Sequence, residues 1–93
     1  MPPAIREAID RWVAHGQRAG GFVMSALENN LAEAVGRADP NTMECLRDIV
    51  LYLNMEVPSP CWGSPEKVVA WETLNPDTRR RIAGLPKESA HGA

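Results

Sequence analysis

Three dipeptides govern what this chain can fold into: Asp39-Pro40, Ser64-Pro65 and Asn75-Pro76. Each sets a residue whose side-chain oxygen can take a free backbone N–H directly before a proline. At the first helical position proline has no needed N–H to lose, and its fixed φ already suits a helix. Each pair is therefore a helix start. Proline also forbids continuation, so Pro58 and Pro60 stop any helix arriving from upstream. Gly16 and Gly84 supply two more stops, because glycine takes the left-handed conformation after a helix without steric cost.

Between these marks apolar residues recur at helical spacing. Ile5, Ile9, Trp12 and Val13 lie on one side of a helix over 3–15, with Arg6, Glu7, Asp10 and Arg11 on the other. Phe22, Val23, Ala26, Leu27 and Leu31 make a second stripe, interrupted at Asn29 and Asn30. Asn30 followed by Glu33 fits a reciprocal capping box, which predicts two short helices, 21–28 and 31–37. One continuous helix is the alternative. Met43, Leu46, Ile49, Val50 and Leu53 predict the longest helix, 40–55, at the centre of the core. Val68, Val69 and Trp71 supply the apolar face of a helix over 65–72, and a short one follows over 76–83.

No segment alternates with period two for more than a few residues, and neither Asn-Gly nor Asp-Gly occurs to turn a hairpin. The expected fold is all-α: a compact bundle of five to six short helices around the 40–55 helix. At 93 residues one domain is expected, over 1–86, with 87–93 as a disordered polar tail.

Charge and residue types narrow the function. The net charge is −2, whereas proteins that coat nucleic acid neutralise phosphates with a clear positive excess. Arg79, Arg80 and Arg81 form the only basic run and read as a solvated helix face. No apolar stretch approaches the roughly 18–20 residues that span a bilayer. The opening residues lack a charged leader before an apolar core, so no signal peptide is expected. Cys45 and Cys61 do not make a disulfide framework, which favours reduced thiols and a cytoplasmic location. Cys45 reads as a small buried apolar residue on the long helix.

Catalytic and metal chemistry lack their parts. His15 falls at the end of the first helix, where a cation suits the dipole, and His91 lies in the tail. The two cysteines are far apart and no histidine accompanies either, so neither a zinc site nor an activated thiol is expected. No glycine-rich phosphate loop follows a strand. The chain is expected to be non-enzymatic, with no metal and no cofactor.

Two places remain for binding. In the run from Cys61 to Lys67, Ser64 starts a helix, Lys67 adds charge and Trp62 offers a flat face, a combination suited to a phosphate-bearing small molecule. The other place combines Gly20, Gly21 and Phe22 with Asn29, Asn30 and the Arg37-Ala38-Asp39 run. Paired glycines admit close backbone approach, the asparagines can hydrogen-bond a ligand or a neighbouring chain, and Arg37 can pair locally with Asp39. Structural roles explain both places as well: helix caps, connections and core-edge packing. Three tryptophans, Trp12, Trp62 and Trp71, are too many for the centre of so small a core. At least one is expected at a surface that a partner or a second copy covers.

The residues Gly20-Gly21-Phe22, Leu27 to Leu31, Arg37 to Asp39, Pro58-Ser59, and Cys61 to Lys67 ending at Trp71 together form a pattern. Over about 5–71 it resembles small proteins encoded in bacteriophage and prophage genomes. That resemblance implies a phage or mobile-element setting and stoichiometric binding, including inhibition of host defence. It assigns no functional residue to any position. The expected partner is a host or phage protein, or a second copy in a homodimer. Binding of a phosphate-bearing or nucleotide-like molecule is the alternative.

Overall fold

All three proline pairs open helices in the computed structural model, which describes residues 1–84. Asp39 Oδ1 accepts from the Thr42 backbone N–H at 2.8 Å, Ser64 Oγ from that of Lys67 at 3.1 Å, and Asn75 Oδ1 from that of Asp77 at 2.9 Å. The elements run α1 (Pro3–His15), α2 (Gly21–Leu27), α3 (Leu31–Arg37), α4 (Pro40–Glu44), α5 (Leu46–Glu56), a 3₁₀ turn (Ser59–Cys61), α6 (Pro65–Thr73) and α7 (Pro76–Ala83). No strand occurs among the described residues, so the fold is all-α as expected. Gly16 and Gly84 end α1 and α7 at φ 64° and 73°. Leu85 and Pro86, at the end of the expected domain, and the expected tail over 87–93 with His91 lie outside the described residues.

The core gathers Ile9 and Trp12 from α1, four residues of α2, Ile49 and Leu53 from α5, Val57, Cys61, and Val68 and Trp71 from α6. Large apolar side chains of this kind stabilise by roughly 1.5–3 kcal/mol each when buried. α1 packs on α7 and α2, α2 on α3, and α6 on the 3₁₀ turn. Trp12 and Trp71 are fully buried and Trp62 is half-buried at the core edge.

A chain of hydrogen bonds threads this interior. Trp12 Nε1 donates to the Cys61 carbonyl at 2.9 Å, and Trp71 Nε1 donates to the Trp12 carbonyl at 3.0 Å. The Trp71 carbonyl accepts from Arg79 Nε and Nη2 at 3.3 and 3.2 Å. Each indole N–H, costly to bury unpaired, thus ties two segments distant in sequence.

The expected 40–55 helix is divided at Cys45, whose φ of −105° and ψ of 12° leave the helical range, so there are seven α-helices among the described residues. The Cys45 N–H reaches back only three residues, to Thr42, and this tight turn ends α4. No residue of α4 is buried and Met43 is exposed, so packing does not hold α4 in line with α5. Cys45 is half-buried rather than buried. Leu31 and Val69, placed on apolar stripes, are exposed.

The arginine triplet is not a uniformly solvated face. Arg79 is only 5% exposed, and besides Trp71 it donates to the carbonyls of Glu72 at 3.2 Å and Leu74 at 2.8 Å. No carboxylate pairs with it among the described residues. The carbonyl end of α6, the negative end of that helix, receives the guanidinium instead.

Candidate functional site

The α2–α3 hairpin carries the second of the two places. Gly20 precedes α2, and α2 buries every residue from Val23 to Leu27. Asn29 then takes φ 60°, a left-handed conformation that asparagine tolerates, and turns the chain into α3. Asn30 Oδ1 accepts from the Glu33 backbone N–H at 3.2 Å, the first half of the capping box. The reciprocal half is absent: the Asn30 N–H donates to the Ser25 carbonyl at 2.9 Å, and the Glu33 carboxylate accepts from Arg37 Nε at 3.1 Å. Asp39 is engaged in capping α4, so the expected Arg37–Asp39 pair is not formed.

These elements enclose a cleft of about 470 Å³ lined mostly by polar groups, among them Arg18, Ser25, Glu28, Asn30, Glu33 and Arg37. Arg37 lies across the start of α2: a methyl carbon at Gly21 would stand 2.8 Å from Arg37 Nη1. Glycine at 21 is what admits the guanidinium. On the other side, Arg18 Nη1 donates to Glu72 Oε1 at 2.8 Å. Phe22 turns from the cleft lining to the core edge, where it is half-buried, and Asn29 is exposed.

The first place is a loop held by its own polar groups. Gly63, at φ 119°, donates its N–H to the Leu27 carbonyl at 2.7 Å, fastening the loop to the end of α2. Ser64 Oγ is occupied in capping α6. Lys67 folds over Gly63, and its Nζ donates to the Ser59 carbonyl at 3.4 Å. Trp62 packs against the core. The Gly63–Leu27 bond thus places the two sequence-derived regions side by side in the fold.

Burial pushes the Cys61 thiol up to about 12, with the Arg79 charge offsetting only part of the effect. A thiol held protonated in this way is a poor nucleophile. No group of three or more His, Cys, Asp or Glu residues among the described residues is placed to hold a metal ion. No helix among them is long and apolar enough to cross a membrane.

Outside the cleft, large apolar side chains face solvent at helical spacing. Leu31 and Val35 are 51% and 46% exposed on α3, and Leu51 and Met55 are exposed on α5. A shallow apolar groove lies along α6 at Pro65, Val69 and Ala70.

Sequence reasoning found Asn30 and Arg37 for the cleft but missed Arg18, Ser25 and Glu28. The available signal for Ser25 was a lone hydroxyl within an otherwise apolar buried stretch, Phe22 to Leu27. No family model, no curated protein and no solved structure matches this chain.

Proposed function

We propose that this protein is non-enzymatic and acts by stoichiometric binding to another protein. The observation that carries this reading is the orientation of α3. That helix buries only Ala34, while its two largest apolar side chains, Leu31 and Val35, stand one turn apart on an exposed face. A seven-residue helix is too short to be stable by itself. Here it is held by α2 with its apolar face outward, a presentation that suits a partner's groove. In the phage or mobile-element setting implied by the sequence resemblance, the partner is a host protein in the cytoplasm, and blocking a defence protein is the mode of action. A homodimer through the same face is the competing occupant.

Size-exclusion chromatography with light scattering, followed by capture of partners from host lysate, tests the reading. Leu31→Glu with Val35→Glu should abolish capture or self-association and leave the fold intact. A monomer that captures nothing would overturn it.

A second reading, small-ligand binding, draws support from the polar α2–α3 cleft. The Ser64 helix start supports it less, because Ser64 Oγ and Lys67 Nζ are already engaged within the chain.

A further inference from the structure

Ser25 is only 6% exposed and lines the α2–α3 cleft. Its hydroxyl enters no hydrogen bond among the described residues. No buried side-chain nitrogen or oxygen among those residues is both sealed from solvent and unpartnered. The Ser25 Oγ therefore keeps its access to solvent, and the cleft that it lines is where that access lies. A nearly buried hydroxyl that meets solvent only through a cleft is placed to contact whatever occupies that cleft.

The charged groups around it define that occupant. Arg37 gives Nε to Glu33, and its terminal nitrogens have no further partner among the described residues. Arg18 gives Nη1 to Glu72 and retains its other donors. Guanidinium forks of this kind match a carboxylate or a phosphate. Glu28 opens on the same cleft with no ion pair among the described residues. A phosphate dianion would meet Glu28 and Glu33 as well as the arginines, and like charges at close range are repulsive. A ligand carrying one negative and one positive group satisfies both sets.

We propose that the α2–α3 cleft binds a small zwitterion of the free amino-acid class, its carboxylate on Arg18 and Arg37 and its ammonium on Glu28, with Ser25 Oγ completing the polar contacts. This assignment rests on the small-ligand reading and is independent of docking through α3. The cleft volume of about 470 Å³ lies within the usual range for small-molecule sites.

The test is calorimetric titration of the full chain with the twenty free amino acids. The best binder is then repeated as its N-acetyl and C-amide derivatives, with inorganic phosphate alongside. Binding is expected for the zwitterion alone, with each blocked derivative weakened about tenfold or more, the size of a lost charged hydrogen bond. Ser25→Ala and Glu28→Gln should each weaken it, with circular dichroism confirming that both variants fold. A best binder indifferent to blocking of either end, or to both substitutions, overturns the site. Phosphate binding in the absence of amino-acid binding overturns the ligand class while leaving the small-ligand reading standing. Binding by neither overturns the proposal.

Discussion

The indole N–H of Trp71 donates to the backbone carbonyl of Trp12 at 3.0 Å, so the two largest fully buried side chains are joined through main chain as well as by packing. The bond runs from α6 to α1 and spans 59 residues of sequence. Arg79 holds the Trp71 carbonyl in turn, so α7, α6 and α1 are fastened in series.

Removing Arg79 should be among the most damaging single changes. Arg79→Ala strips three carbonyls, those of Trp71, Glu72 and Leu74, of a shared donor in a largely buried place. The expected loss is about 3 kcal/mol in urea unfolding. Arg79→Lys should recover only part of it, since an ammonium lacks the planar fork that reaches several acceptors. Unchanged stability in Arg79→Ala would refute the role given to this side chain.

Gly16 and Gly84 offer a controlled comparison. Both have left-handed φ, so alanine at either should cost about 1 kcal/mol in backbone strain. At Gly16 the added methyl would also stand 2.9 Å from the Arg79 guanidinium carbon, whereas at Gly84 nothing among the described residues lies within 4 Å. Gly16→Ala should therefore lower the melting temperature more than Gly84→Ala. In an Arg79→Ala background the difference should shrink.

Stability should fall in alkaline solution through Cys61. Its thiol ionises near 9.0 unperturbed but only at about 12 when buried in the fold. Between those values the unfolded chain releases a proton that the folded chain keeps. Unfolding is then favoured by about 1 kcal/mol per pH unit. The contribution is fully present below about pH 9 and is lost as pH rises towards 12. Tyr52, raised by burial and by its hydrogen bond to Asp10, works in the same direction at the upper end. Urea midpoints of Cys61→Ala should decline less steeply over this window than those of the parent chain.

Thiol labelling should separate the two cysteines. Cys45 is half-buried, and Cys61 is buried with a raised thiol. At neutral pH a disulfide reagent should modify one thiol per native chain, at Cys45, and both after denaturation. Two rapid modifications of the native chain would contradict the burial of Cys61.

Leu31→Glu with Val35→Glu should leave unfolding stability within about 1 kcal/mol, as expected for two exposed positions, while removing association. A large loss of stability would mean that this face supports the fold rather than a partner.

The helix starts were legible because capping is local chemistry: Asp39, Ser64 and Asn75 each reach an N–H only two or three residues away. The left-handed stops at Gly16 and Gly84 and the turn at Asn29 are local in the same sense. The all-α class followed from these marks and the apolar spacing between them. What lay beyond local reach was which apolar faces would find a partner. Leu31 continues the stripe of α2 by spacing, yet the left-handed turn at Asn29 rotates α3 so that Ala34, not Leu31, meets the rest of the fold.

The sequence by itself determined where helices begin and end, because those decisions depend on side chains within a turn of one another. Only the tertiary structure decided that Arg79, and not Arg80 or Arg81, would be buried, since identical side chains differ only in what the fold sets opposite them. It likewise decided that Ser25, Glu28 and Arg18 would share a cleft with Arg37. Placing them there requires α2 to fold back on α3 and the 16–20 connection to run beside both, a relation between distant segments that no short-range pattern encodes.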